Sequence, residues 1–420
     1  MAFTGPVCTT RTECRACGSR ALELFIDLGK SPLANSFPRK EDLGKPEAFY
    51  PLRVFVCADC SFAQLVDIIH PEVLFRDYIY FSSGVLTVPE HFQNYAREIV
   101  ADFATAKSDL VVEIGSNDGV LAGAVQALGP RVLGVDPAVN VVKIANERGI
   151  PTLPEFFSAA VAERIRKEHG PAKVITGNNV IAHIDNLQDV IQGVASLLAD
   201  DGVFMFEAPY LKDMFDRLTF DTIYHEHASY LAVRPLVKLL GRFGLEIFDV
   251  KTVPVQGISL RTYAGKKGAH PVRPSVAAFI AEEERLGMGS LKSYHALAKD
   301  IADLKERVRG VLHGYKQQGK RLAAYAAPAK GNTLLNYFGI GTDVLDFATE
   351  ELPSKIGLVT PGTHLPIIHV EEARSSPPDV YLMLAWNSRD AIVRNEKKFL
   401  DGGGIFVRPI GRTTEIIRSS

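Results

Sequence analysis

Tyr224-His225-Glu226-His227 packs a phenol, a carboxylate and two imidazoles into four consecutive residues. Histidine is the side chain whose ordinary pKa leaves it largely neutral and proton-accepting near pH 7. The cluster therefore suits removal of a weakly acidic proton. Glu226 can orient an imidazole, and Tyr224 can donate a hydrogen bond to the oxygen that gains charge. One base is enough, so one of His225 and His227 is expected to be an orienter or structural. In an extended stretch, His225 and His227 would share one side and Tyr224 and Glu226 the other. A His-Glu-His metal site is the competing chemistry, but no further ligand is well placed. A second polar run, Asn178-Asn179-Val-Ile-Ala-His183, adds another imidazole just past a predicted strand and can donate to the same oxygen.

These groups need a sheet to hold them, and Leu110-Val-Val-Glu-Ile-Gly-Ser-Asn-Asp-Gly119 supplies its start. The apolar run reads as a buried parallel strand, the glycines as a tight turn, and Val120 to Leu128 as the helix that follows. Gly115 and Gly119 let a ligand approach bare backbone at a helix N-terminus. The next strand, Arg131 to Asp136, ends in a carboxylate 21 residues beyond Gly115. A carboxylate there can accept both hydroxyls of an adenosine ribose. Asn117 and Asp118 fill the turn where a dinucleotide's pyrophosphate needs glycine, and Asp118 would repel it. Glu113 and Asp118 suit a cationic ligand such as S-adenosylmethionine. The expected cofactor contacts are Glu113, Gly115, Asn117, Asp118, Gly119, Asp136, Asn178 and Asn179.

All five cysteines lie within the first 60 residues, four of them as Cys14-x-x-Cys17 and Cys57-x-x-Cys60. Two such thiolate pairs supply the four sulfurs of a tetrahedral zinc site, structural because no position stays open for chemistry. Residues 1–60 hold eight Lys and Arg against seven Asp and Glu, so the module lacks the basic face of a nucleic-acid reader. The whole chain, 420 residues with net charge −2 and 46% apolar content, has the composition of a soluble globular protein with two or three domains. No apolar run has the length to span a bilayer, which points to the cytoplasm.

Between the knuckles and the glycine turn, Asp67 to Gly84 carries Tyr78, Tyr80 and Phe81 followed by Ser82 and Ser83. This aromatic, hydroxyl-rich stretch is suited either to covering a ligand or to packing between domains. The α/β pattern then runs through predicted strands at Ala172–Val180 and Gly202–Pro209. A hairpin over Gly244–Val253 and Ile258–Ala264 closes it, as in a methyltransferase sheet and unlike a dehydrogenase. Leu297, Ile301, Leu304, Val308, Val311 and Tyr315 form the stripe of a long connecting helix. A second α/β pattern follows, with strands predicted at Arg321–Tyr325, Val344–Phe347, Val380–Leu384 and Gly404–Val407. Its loop Pro328-Ala-Lys-Gly-Asn-Thr333 stands at a strand end, where Lys330 and helix N–H groups can hold a phosphate.

The motifs from Cys14-x-x-Cys17, Leu28-Gly-Lys-Ser-Pro-Leu-Ala-Asn-Ser-Phe37 and Cys57-x-x-Cys60 through Glu113 to Gly119, Tyr224 to His227 and Ala327 to Thr333 occur in order over nearly the whole chain. Together they resemble the nucleotide-sugar C-methyltransferases of deoxysugar biosynthesis. The resemblance implies an α/β chain in three parts: a four-cysteine zinc module over residues 1–75, a class I Rossmann-like S-adenosylmethionine domain over 76–268, and a Rossmann-like C-terminal domain over 269–420 that helps to hold the sugar nucleotide. It implies a dTDP-linked 4-keto-deoxysugar methylated beside the ketone, usually at C3. His227 would be the base, with Glu226, Tyr224, His183 and Tyr78 around the sugar, His225 in support, and Ser83, Lys330 and Asn332 as substrate contacts. Neither nucleic acid nor membrane is an expected partner, and a monomer or weak homodimer is expected. O- or N-methylation with the same donor is the alternative.

Overall fold

The computed structural model describes residues 4–76, 81–84, 88–104, 106–255 and 257–419. The chain forms two compact units. The first comprises residues 1–23, 56–211 and 228–289, and the second comprises 24–55, 212–227 and 290–420.

The first unit is built on seven strands: β1 (Leu110–Ile114), β2 (Arg131–Val135), β3 (Thr152–Leu153), β4 (Ala172–Asn178), β5 (Leu198–Pro209), β6 (Leu245–Val253) and β7 (Ser259–Lys266). Their spatial order is β6-β7-β5-β4-β1-β2-β3. The first five run parallel, and β7 is antiparallel to both β5 and β6. The hairpin read from the sequence thus closes the sheet, inserting its second strand next to β5. The order reverses at β1, whose neighbours are β4 and β2, and such a switch point opens a ligand crevice at the strand ends. Helix α1 (Val88–Asp102) covers one face with Phe92, Tyr95, Ala96 and Ile99, a spacing of three and four that puts them on one side. They join Val111, Val174, Met205, Phe248 and Tyr263 in one apolar core. The Cys-bearing segments belong to this unit, where Cys8–Thr10 pairs with Asp67–Ile69.

In the second unit the strands β8 (Leu322–Tyr325), β9 (Ala348–Glu350), β10 (Ile367–His369), β11 (Val380–Met383), β12 (Ile405–Arg408) and β13 (Glu415–Ile417) stand in the order β10-β9-β8-β11-β12-β13. All neighbours are parallel except the β12–β13 pair. The strand expected over Val344–Phe347 lies instead at Ala348–Glu350, because residues 342–344 are spent in a turn. The long helix, here Leu291–Gln317, buries Tyr294, Leu297, Ile301, Leu304, Val308 and Leu312. The stripe therefore ends on Leu312, and Val311 and Tyr315 are half-buried at its margin.

Backbone geometry explains the glycines of the first turn. Gly115 has φ +67°, and a Cβ there would stand 2.7 Å from Val180 Cγ2. Gly119, at φ +79°, caps the helix α2 (Val120–Ala127). Gly115→Ala is expected to lose about 1–3 kcal/mol of stability through overlap and strain. Thermal unfolding checks this: an alanine variant as stable as the wild type would show that Val180 moves aside freely.

Candidate functional site

At the C-terminal edge of β1 the turn is tied down by backbone and carboxylates alike. The Gly115 N–H donates to Val135 O, and Asp136 accepts from the Asn117 and Ala138 N–H groups at 2.9 Å each. Asn117, at φ +50°, turns its side-chain oxygen to accept from Ser82 N–H at 2.9 Å. Ser83 is exposed beside it. Glu113 lies behind the turn and accepts from Ala122 N–H at 3.0 Å, in the first turn of α2. Asp118 pairs through one oxygen with Arg148 at 3.1 Å. Burial pushes Glu113 well above the usual carboxylate range and raises Asp136, with the nearby carboxylates adding to the shift at Glu113. A cationic ligand in this crevice would restore their ionised forms.

Asn178, the last residue of β4, is buried, and neither atom of its amide has a partner among the described residues. The side-chain oxygen of Asn179 is likewise without one. Buried amides are nearly always satisfied, so this pair at the switch point has capacity for a polar ligand. With the two glycines and Asp136 they fit S-adenosylmethionine. His183 closes a short 3-10 turn (Ile181–His183), its ring 5.6 Å from that of Phe75. Tyr78 lies outside the described residues.

The Tyr-His-Glu-His cluster departs from its expected shape. Tyr224–His227 is a tight turn closed by His227 N–H donating to Tyr224 O at 2.8 Å, not an extended stretch. First and fourth residues therefore meet, with the Tyr224 and His227 rings 4.1 Å apart, and the two histidines part company. His227 Nδ1 stands 2.8 Å from Thr222 O, and Nε2 stands 2.8 Å from Tyr224 Oη. A carbonyl oxygen only accepts, so Nδ1 carries the proton and Nε2 holds the lone pair, which accepts from the Tyr224 hydroxyl. Burial draws His227 down to about 4, and Lys330 adds a smaller push in that direction. The imidazole is neutral at physiological pH. By contrast, His225 Nε2 donates to Pro51 O at 3.1 Å, and its ring packs edge-on to Tyr50. Glu226 accepts from Asn35 Nδ2 at 2.7 Å.

In the same unit, the stretch read as a loop is already helix. The helix α3 (Ala329–Phe338) starts four residues before Thr333, because Pro328 takes the N-cap and Gly331 lets the first turn pack on Leu384. Lys330 projects from that turn, 2.5 Å from Asn387 Oδ1 and 4.3 Å above the Trp386 ring. Asn332 is buried and donates to Ala34 O at 2.8 Å, which holds the loop carrying Asn35. Sequence reasoning left Asn35, Asp221, Trp386 and Asn387 unassigned. The signal for one was available: Trp386 is the sole tryptophan of the chain.

Cys14, Cys17, Cys57 and Cys60 place their sulfurs within 4.8 Å of one another, with Cys14–Cys60 at 3.5 Å and Cys17–Cys57 at 3.6 Å. Four sulfurs about 2.3 Å from a zinc ion define a tetrahedron with edges of about 3.8 Å. The cluster fits a closed structural zinc. Between the first two cysteines, the fully buried Arg15 donates to Leu65 O at 2.6 Å and to Ala228 O at 2.9 Å. The zinc knuckle is thus fastened to the residue that follows His227.

A seven-stranded sheet of this order, with a glycine-lined switch point and a four-cysteine module, defines an S-adenosylmethionine-dependent methyltransferase that also binds zinc. Comparison with known proteins agrees in three segments: a zinc binding domain over residues 14–75, a methyltransferase domain over 89–250 and a C-methyltransferase C-terminal domain over 254–411. C-methyltransferase NovU of Streptomyces niveus is 39% identical over 399 residues, 95% of each chain. The chain belongs to this C-methyltransferase family. A ubiquinone biosynthesis O-methyltransferase of Burkholderia pseudomallei is 21% identical over 36% of this chain and 70% of its own. Among solved structures, magnesium protoporphyrin IX methyltransferase from Synechocystis with bound S-adenosylmethionine covers 43% of this chain and 79% of its own, at 16% identity and TM-score 0.33. Among the described residues no helix is long and apolar enough to cross a membrane.

Elemental analysis is expected to find one zinc per chain. Cys57→Ser, which opens the sulfur cage, should lower the melting temperature and release the metal. A metal-free preparation that melts at the same temperature would contradict the structural assignment.

Proposed function

We propose that the enzyme methylates the carbon beside the ketone, at C3, of a dTDP-linked 4-keto-deoxysugar, with His227 as the base. The observation that carries this reading is the hydrogen-bonded tautomer of His227. Its Nδ1–H is committed to Thr222 O, so the lone pair on Nε2 is directed away from the backbone. A carbon next to a ketone yields a proton to such a base when the electron pair moves onto the carbonyl oxygen to form an enolate. Tyr224, whose hydroxyl rests on Nε2 in the free enzyme, transfers its hydrogen bond to that oxygen as the sugar enters. One movement uncovers the lone pair and supplies the enolate's donor. S-adenosylmethionine, when bound, supplies an electrophilic methyl group for that carbon.

Lys330 adds a second effect. Its charge depresses His227, and a diphosphate bound to it would offset that charge and raise the basicity of Nε2 when substrate is present. Glu226, which Asn35 holds, is read as a contact of the sugar, and the same role is proposed for His183, Tyr78, Ser83 and Asn332. His225, anchored on Pro51, is an orienter. Gly115, Asn117, Gly119, Asp136, Asn178 and Asn179 hold the methyl donor, with Glu113 and Asp118 supporting the turn. On this reading the chain divides functionally into 1–75, 76–268 and 269–420, works as a monomer or weak homodimer, and acts in the cytoplasm on a soluble sugar nucleotide. O-methylation is the second reading, favoured by the likeness of the central segment to the Burkholderia O-methyltransferase.

With a dTDP-4-keto-deoxysugar as acceptor, the product's NMR spectrum should show a methyl group on carbon. An O-methyl signal would favour the second reading. His227→Asn is expected to lose at least about a hundredfold in turnover with unchanged affinity for S-adenosylmethionine by calorimetry, and His225→Asn to lose less. Turnover near wild type in His227→Asn would remove it as the base.

A further inference from the structure

Three residues before Tyr224, Asp221 is fully buried in a one-turn 3-10 helix (Phe220–Thr222). Its Oδ2 accepts from the Trp386 indole N–H at 2.6 Å, and its Oδ1 has no partner among the described residues. Phe220 stacks on Phe338 with ring centroids 5.2 Å apart and meets Tyr337 edge-on at 5.4 Å. The turn is thereby fixed from both sides, and its last residue presents the carbonyl that holds His227 Nδ1–H.

Among the described residues, the charges around this turn come from three elements. Lys330 reaches in from α3, over the same indole ring that grips Asp221. The helix Leu211–Arg217 contributes the Asp213–Arg217 ion pair, with Arg217 5.9 Å from the Trp386 ring. Asp213 is ion-paired with Arg217, so among the described residues Asp221 is the carboxylate at this indole that has no ion-pair contact of its own. An apolar residue of similar size would fill the space without a buried charge, so packing alone does not account for the aspartate.

We propose that Asp221 is a positioning residue for methylation: gripped by Trp386, it fixes the carbonyl that sets the tautomer of His227 and serves as the counter-ion that keeps Lys330 charged. The proposal rests on the reading of His227 as the base. The titration behaviour is consistent with it. Burial pushes Asp221 up to about 6, against the opposing pull of Lys330 and the indole. Burial draws Lys330 down to about 8, against the pull of Asp221 and then Asp213. Between these values both partners are ionised.

The test is the pH profile of kcat/KM for the sugar nucleotide, measured on the full-length zinc-loaded enzyme. Wild type is expected to show limbs near about 6 and about 8. Asp221→Asn keeps an acceptor for the indole but removes the charge. It should raise KM, lower kcat by about tenfold, replace the acid limb at about 6 with the fall set by His227 at about 4, and move the alkaline limb to lower pH. Lys330→Met should abolish the alkaline limb, and calorimetry should find S-adenosylmethionine affinity unchanged in both. If Asp221→Asn does not fold, Trp386→Phe removes only the indole donor. The less stabilised carboxylate should then move the acid limb to higher pH.

A profile for Asp221→Asn, or for Trp386→Phe in its place, that superimposes on wild type would overturn the proposal. Loss of turnover in His227→Asn alongside that result would leave the base reading intact. Turnover in His227→Asn would instead overturn the base reading and the tautomer half of the proposal. The position of the alkaline limb would still decide the counter-ion half.

Discussion

The hydrogen bond from His227 Nδ1 to Thr222 O is the contact on which the proposed chemistry depends. Imidazole has two tautomers of similar energy, and without a fixed acceptor either nitrogen can hold the proton. A backbone carbonyl removes that freedom at little electrostatic cost, because it orients the ring without adding a charge. A carboxylate in its place would stabilise the protonated ring and raise its pKa, whereas the carbonyl leaves burial dominant and His227 neutral. Three residues act on the imidazole of His227: Thr222 fixes its tautomer, Tyr224 covers its lone pair and Lys330 acts at a distance.

The two units handle buried charge differently. In the first unit, Arg261 lies between Glu207 and Glu98, 3.8 Å above the Tyr95 ring, with His91 on the far side of Glu207 at 2.8 Å. Every formal charge in that group has a hydrogen-bonded partner, so removing one member would leave another buried and unpaired, a loss of about 3–5 kcal/mol. The group ties β5 and β7 to α1. Around Lys330 the pairing is looser, since among the described residues no carboxylate touches its ammonium and its hydrogen bond goes to a neutral amide. An ammonium held that way remains available to an anion.

Local signals made the first unit largely legible from sequence. Apolar runs of strand length, glycines at the first turn and a β-rich terminal pair sufficed for β1, β2, β4 and the closing hairpin, because each depends on residues close in the chain. The cysteine spacing gave the metal cluster for the same reason. The turn at Tyr224–His227 was hidden because it holds no glycine, proline, asparagine or aspartate to mark it. Read as extended backbone, it paired the two histidines, whereas the closed turn pairs Tyr224 with His227. Asp221 and Trp386 are 165 residues apart, and no local pattern announces a contact of that range. The early start of α3 was obscured by Gly331 and Pro328, which look like loop residues until the packing on Leu384 and the N-cap are seen.

Proton exchange tests most directly whether His227 forms an enolate. In deuterium oxide, with the 4-keto sugar nucleotide and S-adenosylhomocysteine in place of the methyl donor, the carbon beside the ketone has no methyl group to accept. With His227 as the base, wild type is expected to replace its proton with deuterium, seen as loss of the corresponding NMR signal, and His227→Asn to do so no faster than buffer. Exchange by His227→Asn at the wild-type rate would contradict this and assign the proton abstraction to another group.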